Sequence, residues 1–322
     1  MIGKVAPEAL AEHVLDRTGA DDADVIQGPA YGEDTAAISL GDQILVVNSD
    51  PLSLAAEEVG TLAVHVVCND LAASGARPRW MTNTMFLPDD DPTTVDNLTR
   101  QLDDTATKIG VAIVGGHSEY LPPLDRPLLS LTSFGLTDRY VPSGGAQVGD
   151  AIVLTGTAAI EGTAILATDF AEDIREHGVE QETIDRGASF IDEISVIEEG
   201  ELLRHEATGM HDPTEGGILT GLIEMARAAE NTFEIDEASI PVRPETQTLC
   251  SAMDVDPLWI FGSGSMLATV PQREVDEVLD RLTDNDIRGT EIGRVRDGQA
   301  GISIGGDLRS DALRDELYAL WA

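Results

Sequence analysis

Nearly every position from Leu62 to Ala73 is apolar, small or branched, and this pattern predicts a helix that is buried on most of its faces. Asn69 and Asp70 interrupt the apolar pattern. A carboxylate on a buried helix has to be paired, hydrogen-bonded or bound to a cation, because desolvating it alone is too costly. Asp70 is therefore the first candidate functional residue of the chain.

The rest of the chain alternates short apolar strands with amphipathic helices, without internal repeats or low-complexity segments. This pattern predicts an α+β fold with mixed sheets. Helices are predicted at 7–18, 62–73, 92–109, 162–171, 184–204, 213–229 and 272–282, and from Ser310 onward. Strands are predicted at 36–40, 43–48, 79–87, 111–114, 127–136, 151–155, 265–270, 289–295 and 301–304.

The length of 322 residues predicts two domains of roughly 150 residues each. The best boundary candidate is the turn Pro142-Ser143-Gly144-Gly145, followed by Val148-Gly149-Asp150. We therefore expect an N-terminal domain over 1–147 and a C-terminal domain over 148–322.

The charge balance is strongly acidic, with 59 acidic and 20 basic residues and a net charge of −39. The acids are spread along the whole chain, which favours solvation in a high-salt cytoplasm over a dedicated acidic tail or cation buffer. Such a surface repels nucleic acid, so nucleic acid is not expected as a partner. The sequence has no apolar run of about 18 residues and no signal-peptide core, so we expect a cytoplasmic protein without a membrane span.

Four acids lie at strand or helix positions next to glycine or apolar residues: Asp34, Asp50, Asp70 and Glu119. Hard cations such as Mg²⁺ prefer oxygen ligands, and such acids could converge on one metal site. Each of the four, taken singly, could also be a turn or cap residue, except Asp70 on its buried helix. Cys68 and Cys250 have no metal-ligand spacing and are interpreted as buried thiols.

The segment His211 to Gly217 predicts a helix start with two interpretations. Asp212 and Glu215 could form a capping box, which would make the segment a well-made helix start and nothing more. Two glycines in the first turn are poor helix formers, however, and their bare amides suit a phosphate. In that second interpretation Thr214, Gly216 and Gly217 bind the ligand, and His211 and Asp212 are catalytic candidates.

Several nucleotide-binding and hydrolytic motifs are absent from the sequence. It contains no P-loop, no G-x-G-x-x-G after a strand and no G-x-S-x-G nucleophile elbow. If ATP is used, its phosphates have to be held through metal-bound carboxylates and backbone amides.

Six motifs occur in the order that is typical of one enzyme superfamily, and they span nearly the whole chain. They are Gly32-Glu33-Asp34-Thr35-Ala36-Ala37, Ser49-Asp50-Pro51, Asn69-Asp70-Leu71-Ala72 with Gly75-Ala76-Arg77-Pro78, Gly115-Gly116-His117-Ser118-Glu119, Glu161-Gly162-Thr163-Ala164-Ile165-Leu166, and His211 to Gly217. The chain therefore resembles the aminoimidazole ribonucleotide (AIR) synthase superfamily, and within it the hydrogenase expression/formation type.

The resemblance implies an N-terminal domain whose small sheet completes a barrel across a homodimer, and a C-terminal α+β sandwich domain. It implies ATP and Mg²⁺ in the cleft between the domains, with Asp34, Asp50 and Asp70 as metal ligands. Asn69 would assist, and Gly115 and Gly116 would let the backbone approach the nucleotide. Family chemistry phosphorylates an amide or acid oxygen of a small-molecule or protein-borne acceptor.

The chain departs from the family pattern in two places. It ends in Leu320-Trp321-Ala322, where the hydrogenase-maturation enzyme ends in a cysteine that carries the carbamoyl group, so cyanide synthesis on its own tail is not expected. His117 stands after Gly-Gly where relatives usually have an acid, and Glu119 follows two residues later. The alternatives to a maturation-type enzyme are a small-molecule kinase of the thiamin-monophosphate type and a non-catalytic ATP-binding scaffold.

Overall fold

The computed structural model of the chain describes residue 5 and residues 7–52, 58–311 and 314–321. These residues form two mixed sheets with helices packed on them, which confirms the predicted α+β class. The strands are β1 (Val25–Gln27), β2 (Ala36–Ser39), β3 (Ile44–Leu52), β4 (Arg77–Leu87), β5 (Ala112–Tyr120), β6 (Leu128–Thr137), β7 (Ala151–Thr155), β8 (Gly209–His211), β9 (Thr232–Ile235), β10 (Leu267–Val270), β11 (Gly289–Arg296), β12 (Gly301–Ile304) and β13 (Asp307–Arg309).

The helices alternate with these strands along the chain. They are α1 (Pro7–Leu10), α2 (Val59–Ala73), α3 (Pro92–Ile109), α4 (Ile160–Asp169), α5 (Ala171–Glu176), α6 (Gln181–Ala188), α7 (Ile197–Leu203), α8 (Gly217–Ala228), α9 (Pro244–Met253) and α10 (Val275–Asp284). A π-helix (Ala11–Leu15) continues α1, and 3₁₀ turns lie at Ser189–Glu193, Glu237–Ser239 and Glu316–Ala319. Within the described parts of the chain, no helix is long and apolar enough to cross a membrane.

The first sheet has the strand order β1-β2-β3-β6-β4-β5. Helices α2 and α3 cover one of its faces, and Leu129 and Leu131 of β6 pack there against Val64 and Leu98. Strand β5 forms the outer edge, where it pairs in parallel with β4, and all nine of its residues are exposed.

The second sheet has the order β13-β12-β9-β11-β7-β10-β8. Its interior strand β7 is buried at every position, because helices cover both faces of the sheet. Ile152 and Leu154 pack towards α8, whereas Ala151 and Val153 pack towards α7 and α10. This double cover explains the continuous apolar run that identified β7 in the sequence.

Helix α2 lies between the first sheet and α7, which explains why it is apolar all round. Asn69 donates from Nδ2 to the Ile194 carbonyl at 2.8 Å and accepts from the Val196 amide at 3.0 Å. On the same side Gly200 lies against Ala72, where an added Cβ would stand 2.4 Å from the Ala72 carbonyl oxygen. The hydrogen bonds of Asn69 therefore link the two halves of the chain, and Gly200 allows α7 to approach α2 closely.

Four predicted elements are wrong in detail. Gly115 to Glu119 lies inside β5 rather than after it, since Gly116 lets the backbone pair closely with Asn83. The helix predicted over 184–204 is divided into α6, a 3₁₀ turn and α7, and the helix predicted over 162–171 is divided between α4 and α5. In the C-terminal stretch the described residues contain only the 3₁₀ turn Glu316–Ala319, and 312, 313 and 322 lie outside them. Strands β1, β8, β9 and β13 and helix α9 were not predicted.

Candidate active site

Asp70 is buried on α2, with 3% of its surface exposed, as its apolar helix predicts. Asn48 of β3 donates a hydrogen bond from Nδ2 to Asp70 Oδ2, and Ser133 of β6 donates to Asn48 Oδ1 at 3.2 Å. Burial, together with the charges of Asp212, Asp50 and Asp34, raises the pKa of Asp70 well above its ordinary value. The predicted carboxylates therefore lie close enough to repel one another.

Asp212 meets Asp70 from the turn that follows β8. It is 2% exposed and lies within hydrogen-bonding reach of Asp70. Burial raises the pKa of Asp212 to about 7, although the nearby His211 lowers it. Two buried carboxyl groups in such proximity are costly to ionise together without a nearby cation.

His211 is a buried cation in the same cluster. Its Nε2 lies 3.2 Å from Glu224 Oε2, and its Nδ1 lies 3.6 Å from Asp34 Oδ2 and 3.4 Å from Ser143 Oγ. Burial lowers the pKa of His211, but the hydrogen bond to Glu224 and the charge of Asp34 outweigh it and raise the pKa to about 9. The imidazole is therefore protonated at neutral pH, and both ring nitrogens donate.

The acids fit a hard divalent cation in chemistry and charge. Asp212 Oδ2 is buried and has no hydrogen-bond partner among the residues that the structure describes. The mutual repulsion of Asp34, Asp50, Asp70 and Asp212 would be relieved by a bound cation, and carboxylate oxygens are the ligands that Mg²⁺ prefers. As the side chains stand, no group of three or more His, Cys, Asp or Glu in the described ranges is arranged around a metal position.

Two further acids support the cluster without having been predicted. Glu33 accepts hydrogen bonds from the Tyr140 hydroxyl at 3.0 Å and from the amides of Ser143 at 3.1 Å and Gly144 at 3.0 Å, and so holds the loop after β6 beside His211. Glu224 holds His211 from α8. The signal for Glu224 was available, since it is an acid in an apolar helical stretch, as Asp70 is.

The start of α8 differs from both interpretations of the sequence. The N-cap of this described helix is Gly216, with φ 81°, and no side chain caps it, so the capping box of Asp212 and Glu215 is wrong. The Gly216 amide donates to Asp315 Oδ2 at 2.8 Å, and the Gly217 amide donates to the Thr214 carbonyl at 3.1 Å. A carboxylate of the protein thus occupies the amide that was predicted for a phosphate.

His117 and Glu119 are not brought to the acid cluster within one chain. They pair with Thr84 and Phe86, which flank Met85 on β4, and Met85 is buried against α2 and α3. Because side chains alternate along a strand, His117 and Glu119 lie on the opposite face of the sheet from α2. The two side chains are exposed and contact each other, with His117 Nε2 3.4 Å from Glu119 Oε2.

The neighbouring glycines of β5, Gly115 and Gly116, are also exposed, opposite Thr82 and Asn83 of β4. Asn69, the remaining predicted residue, lies beside Asp70, but its amide group is engaged with the backbone of Ile194 and Val196. The structure therefore brings Asp34, Asp50, Asp70, His211 and Asp212 together, and it places the other predicted residues in different settings.

Family models match both halves of the chain. Residues 32–137 match the model of the N-terminal domain of AIR synthase related protein, and residues 147–305 match the model of its C-terminal domain. The chain belongs to the AIR synthase related family.

Curated members of the AIR synthase related family resemble the chain over most of its length. A hydrogenase expression/formation protein of Methanocaldococcus jannaschii is 27% identical over 298 residues, which covers 88% of this chain and 85% of the relative. Carbamoyl dehydratase HypE of Rhizobium leguminosarum bv. viciae is 27% identical over 267 residues, which covers 77% of this chain and 72% of the relative.

Solved structures of low identity share the fold of this AIR synthase related chain. Hydrogenase maturation protein HypE in complex with ATP superposes with a TM-score of 0.71 at 23% identity and covers 97% of this chain and 96% of its own. AaThiL with AMPPCP and TMP gives 0.73 at 20% identity, with 87% and 89% covered. HypE in its complex with HypF gives 0.70 at 21% identity, with 85% and 91% covered.

Proposed function

We propose that this chain is a Mg²⁺- and ATP-dependent enzyme of the hydrogenase-maturation type, which activates an amide or acid oxygen of an acceptor by phosphoryl transfer. The observation that carries the proposal is the burial of Asp70 and Asp212 in one cluster with His211, whose Nδ1 lies 3.6 Å from Asp34 Oδ2. Two buried carboxylates and a buried cation form a costly arrangement in a stable core, and functional sites are where such groups concentrate.

The described residues support a division of labour in the site. Asp34, Asp50 and Asp70 would hold Mg²⁺, and the bound cation would neutralise the charge of the phosphates. His211, fixed by Glu224, presents a positive ring beside Asp34, where it can stabilise charge on transferring phosphate oxygens. Asp212, whose pKa burial raises to about 7, can take up or release a proton beside the phosphate near neutral pH.

The nucleotide contacts belong to the same proposal. We propose backbone contacts at Gly115, Gly116, Thr214, Gly216 and Gly217, assisted by Asn69 and His117, with Glu119 as a further metal ligand. Contacts along β5 would come from this strand of a second copy, because within one chain His117 and Glu119 lie on the face of the sheet opposite α2. The ATP and AMPPCP complexes of the structural neighbours support a nucleotide as the ligand.

A homodimer and a domain boundary between residues 147 and 148 complete the proposal. Strand β5 is an exposed sheet edge, and such edges are normally paired or covered. Ile113, Val114 and Tyr120 leave large apolar surface exposed there, with 38%, 58% and 55% of their surfaces accessible. A second copy that pairs along β5 would cover this edge and continue the sheet.

The acceptor is proposed to be an amide or acid that is either a small molecule or borne by a protein. Carbamoyl dehydratase among the relatives supports an amide, and the complex of HypE with HypF supports a protein-borne group. The second candidate function is a small-molecule kinase, which the likeness to AaThiL with TMP favours. Labelled γ-phosphate separates the two, since it stays on the product only in a kinase.

The deciding experiment measures Mg²⁺-dependent ATP binding and turnover in molar KCl, with amide, carbamoyl and thiamin-monophosphate acceptors. We expect the wild type to bind Mg·ATP and Asp70→Asn to lose most of that affinity. Asp103→Asn is the matched control, because Asp103 is an exposed acid on α3. Absence of both nucleotide and Mg²⁺ binding in the wild type would overturn the proposal, and binding without turnover would favour the scaffold.

A further inference from the structure

The segment 314–321 is fastened to the second half of the chain at several points. Leu317 is fully buried, and the ring of Trp321 lies 5.4 Å from that of Phe170. The ring of Tyr318 lies 5.7 Å from that of Phe261 in an edge-on arrangement. Apolar packing therefore places this segment firmly beside α4 and the loop at 256–262.

Asp315 is the polar anchor of the segment. Its Oδ2 accepts a hydrogen bond from the Gly216 amide at 2.8 Å, and its Oδ1 accepts one from the Leu317 amide at 2.9 Å. The residue is 2% exposed. Both carboxylate oxygens are thus used, one within the segment and one on the turn before α8.

The turn that receives Asp315 is the turn that carries Asp212. It begins where His211 pairs with Leu267 of β10 and ends at Gly216 and Gly217, with φ of 81° and 67°. Two consecutive glycines allow the backbone many other conformations unless it is held in this one. The Gly262 amide donates to the Thr214 carbonyl at 3.1 Å, and Asp315 supplies the hold at Gly216.

The choice of a carboxylate at this place is costly. Burial raises the pKa of Asp315 to about 7, with further contributions from the charges of Glu161 and Glu215, although its two amide bonds lower it. An asparagine could satisfy one amide at a lower desolvation cost. A carboxyl group offers a separate oxygen to each of the two amides, which suits a contact that has to fix the position of a turn.

We propose that Asp315 is a positioning residue of the active site: by holding the Gly216 amide it fixes the turn on which Asp212 is presented to Asp70. This inference rests on the proposed function, because it assigns Asp315 to the site that binds Mg·ATP. Asp315 acts through the turn and does not touch the reacting groups.

The test compares Asp315→Ala, Asp315→Asn and Glu316→Ala with the wild type in molar KCl. Glu316 is the matched control, since its carboxylate accepts the Asp256 amide at 2.7 Å from the same segment without touching the Gly216 turn. Two quantities are measured on full-length protein: the calorimetric Kd of Mg·ATP, and the hydrogen exchange of peptides 209–217 and 62–73. If Asp315→Ala melts below the assay temperature, Asp315→Ser replaces it.

We expect Asp315→Ala to weaken Mg·ATP binding at least tenfold and to speed exchange of 209–217 at least tenfold, while 62–73 is unchanged. Asp315→Asn keeps an acceptor oxygen for only one of the two amides and is expected to show an intermediate loss, whereas Glu316→Ala is expected to stay within twofold. Faster exchange with unaltered affinity would overturn the proposal, and so would an equal loss in Glu316→Ala. A wild type that binds no Mg·ATP overturns the proposed function instead, whatever the exchange rates show.

Discussion

His211 Nε2 stands 3.2 Å from Glu224 Oε2, and this contact makes a fully buried imidazole a cation. Glu224 lies on α8 and His211 at the end of β8, so the ion pair also ties the helix to the strand next to the acid cluster. The hydrogen bond to Glu224 is the strongest influence that raises the pKa of His211, since burial acts in the opposite direction.

Replacing Glu224 by glutamine is therefore expected to lower the pKa of His211 from about 9 towards or below its ordinary value. NMR titration of the His211 ring, assigned by comparison with His211→Asn, measures the shift. A folded-state pKa above the unfolded value means that the ion pair stabilises the protein fully below about pH 6.5 and loses this effect as the pH rises through about 9. Glu224→Gln should thus destabilise the protein at pH 6 and much less above pH 9.5. The exposed Glu277→Gln serves as the control, and an unmoved His211 titration would contradict the assignment.

Binding of Mg²⁺ is expected to release a proton, because burial and the neighbouring carboxylates raise the pKa of Asp70 and Asp212 and a bound cation favours their charged forms. About one proton per Mg²⁺ should appear at pH 6, below the pKa of about 7 for Asp212. Calorimetry in buffers of different ionisation enthalpy measures the number. Asp212→Asn should reduce the release without abolishing it, since burial alone keeps the pKa of Asp70 raised. The wild type should gain about 2.7 kcal/mol of stability at 100 Kd of free cation. Binding without any proton release would contradict Asp70 as a ligand with a raised pKa.

Asn69→Ala should destabilise the protein strongly, because Asn69 is fully buried and its amide group bonds to buried backbone. The substitution leaves the Ile194 carbonyl and the Val196 amide buried and unpaired, at a cost of about 1–3 kcal/mol for each group. Urea unfolding of this variant is compared with Asn285→Ala, which removes an exposed amide bond to the Arg281 carbonyl. Equal effects of the two substitutions would mean that Asn69 does not join the two halves of the chain.

Gly217→Ala tests whether glycine is required at this position by the close approach of the 258–260 backbone or only by the positive φ. An added Cβ would stand 2.6 Å from the Ile260 carbonyl oxygen and 2.7 Å from that of Leu258, in addition to the strain of φ 67°. Gly110 has a similar φ of 76° with nothing within 4 Å of the added atom. We expect Gly110→Ala to cost about 1–2 kcal/mol and Gly217→Ala about 1–3 kcal/mol more. Equal melting temperatures would contradict the packing of α8 against the 258–260 loop.

Val114→Asp tests the proposed dimer along β5. Val114 and Val148 have the same exposure of 58%, but only Val114 lies on the open edge strand. Like charges that face each other across a two-fold interface repel. Val114→Asp should therefore raise the dissociation constant of the dimer, measured by sedimentation, at least tenfold, and Val148→Asp should leave it unchanged. A wild type that is monomeric in molar KCl would contradict the proposed dimer.

The sequence identified those parts of the protein that depend on local patterns. The bounds of α3 agree with the prediction, because Asp91 caps its first turn by accepting the Thr93 amide at 2.9 Å and Gly110 ends it in the left-handed region. Strand β7 and the buried helix α2 were equally readable from their apolar runs. The motif order also predicted the AIR synthase related family, which the family models confirm.

Only the tertiary structure decided where long-range partners lie. Asp70 could be identified from the sequence because burying an unpaired carboxylate is costly, and this argument needs only the apolar pattern of its own helix. Asp212 was singled out as well, as a helix cap or as a catalytic candidate, but nothing local shows that the turn after β8 reaches α2. Likewise Gly216 looked like a free amide until Asp315, from the far end of the chain, proved to occupy it. A sequence reveals the need of a buried polar group for a partner, whereas the fold determines which residue meets that need.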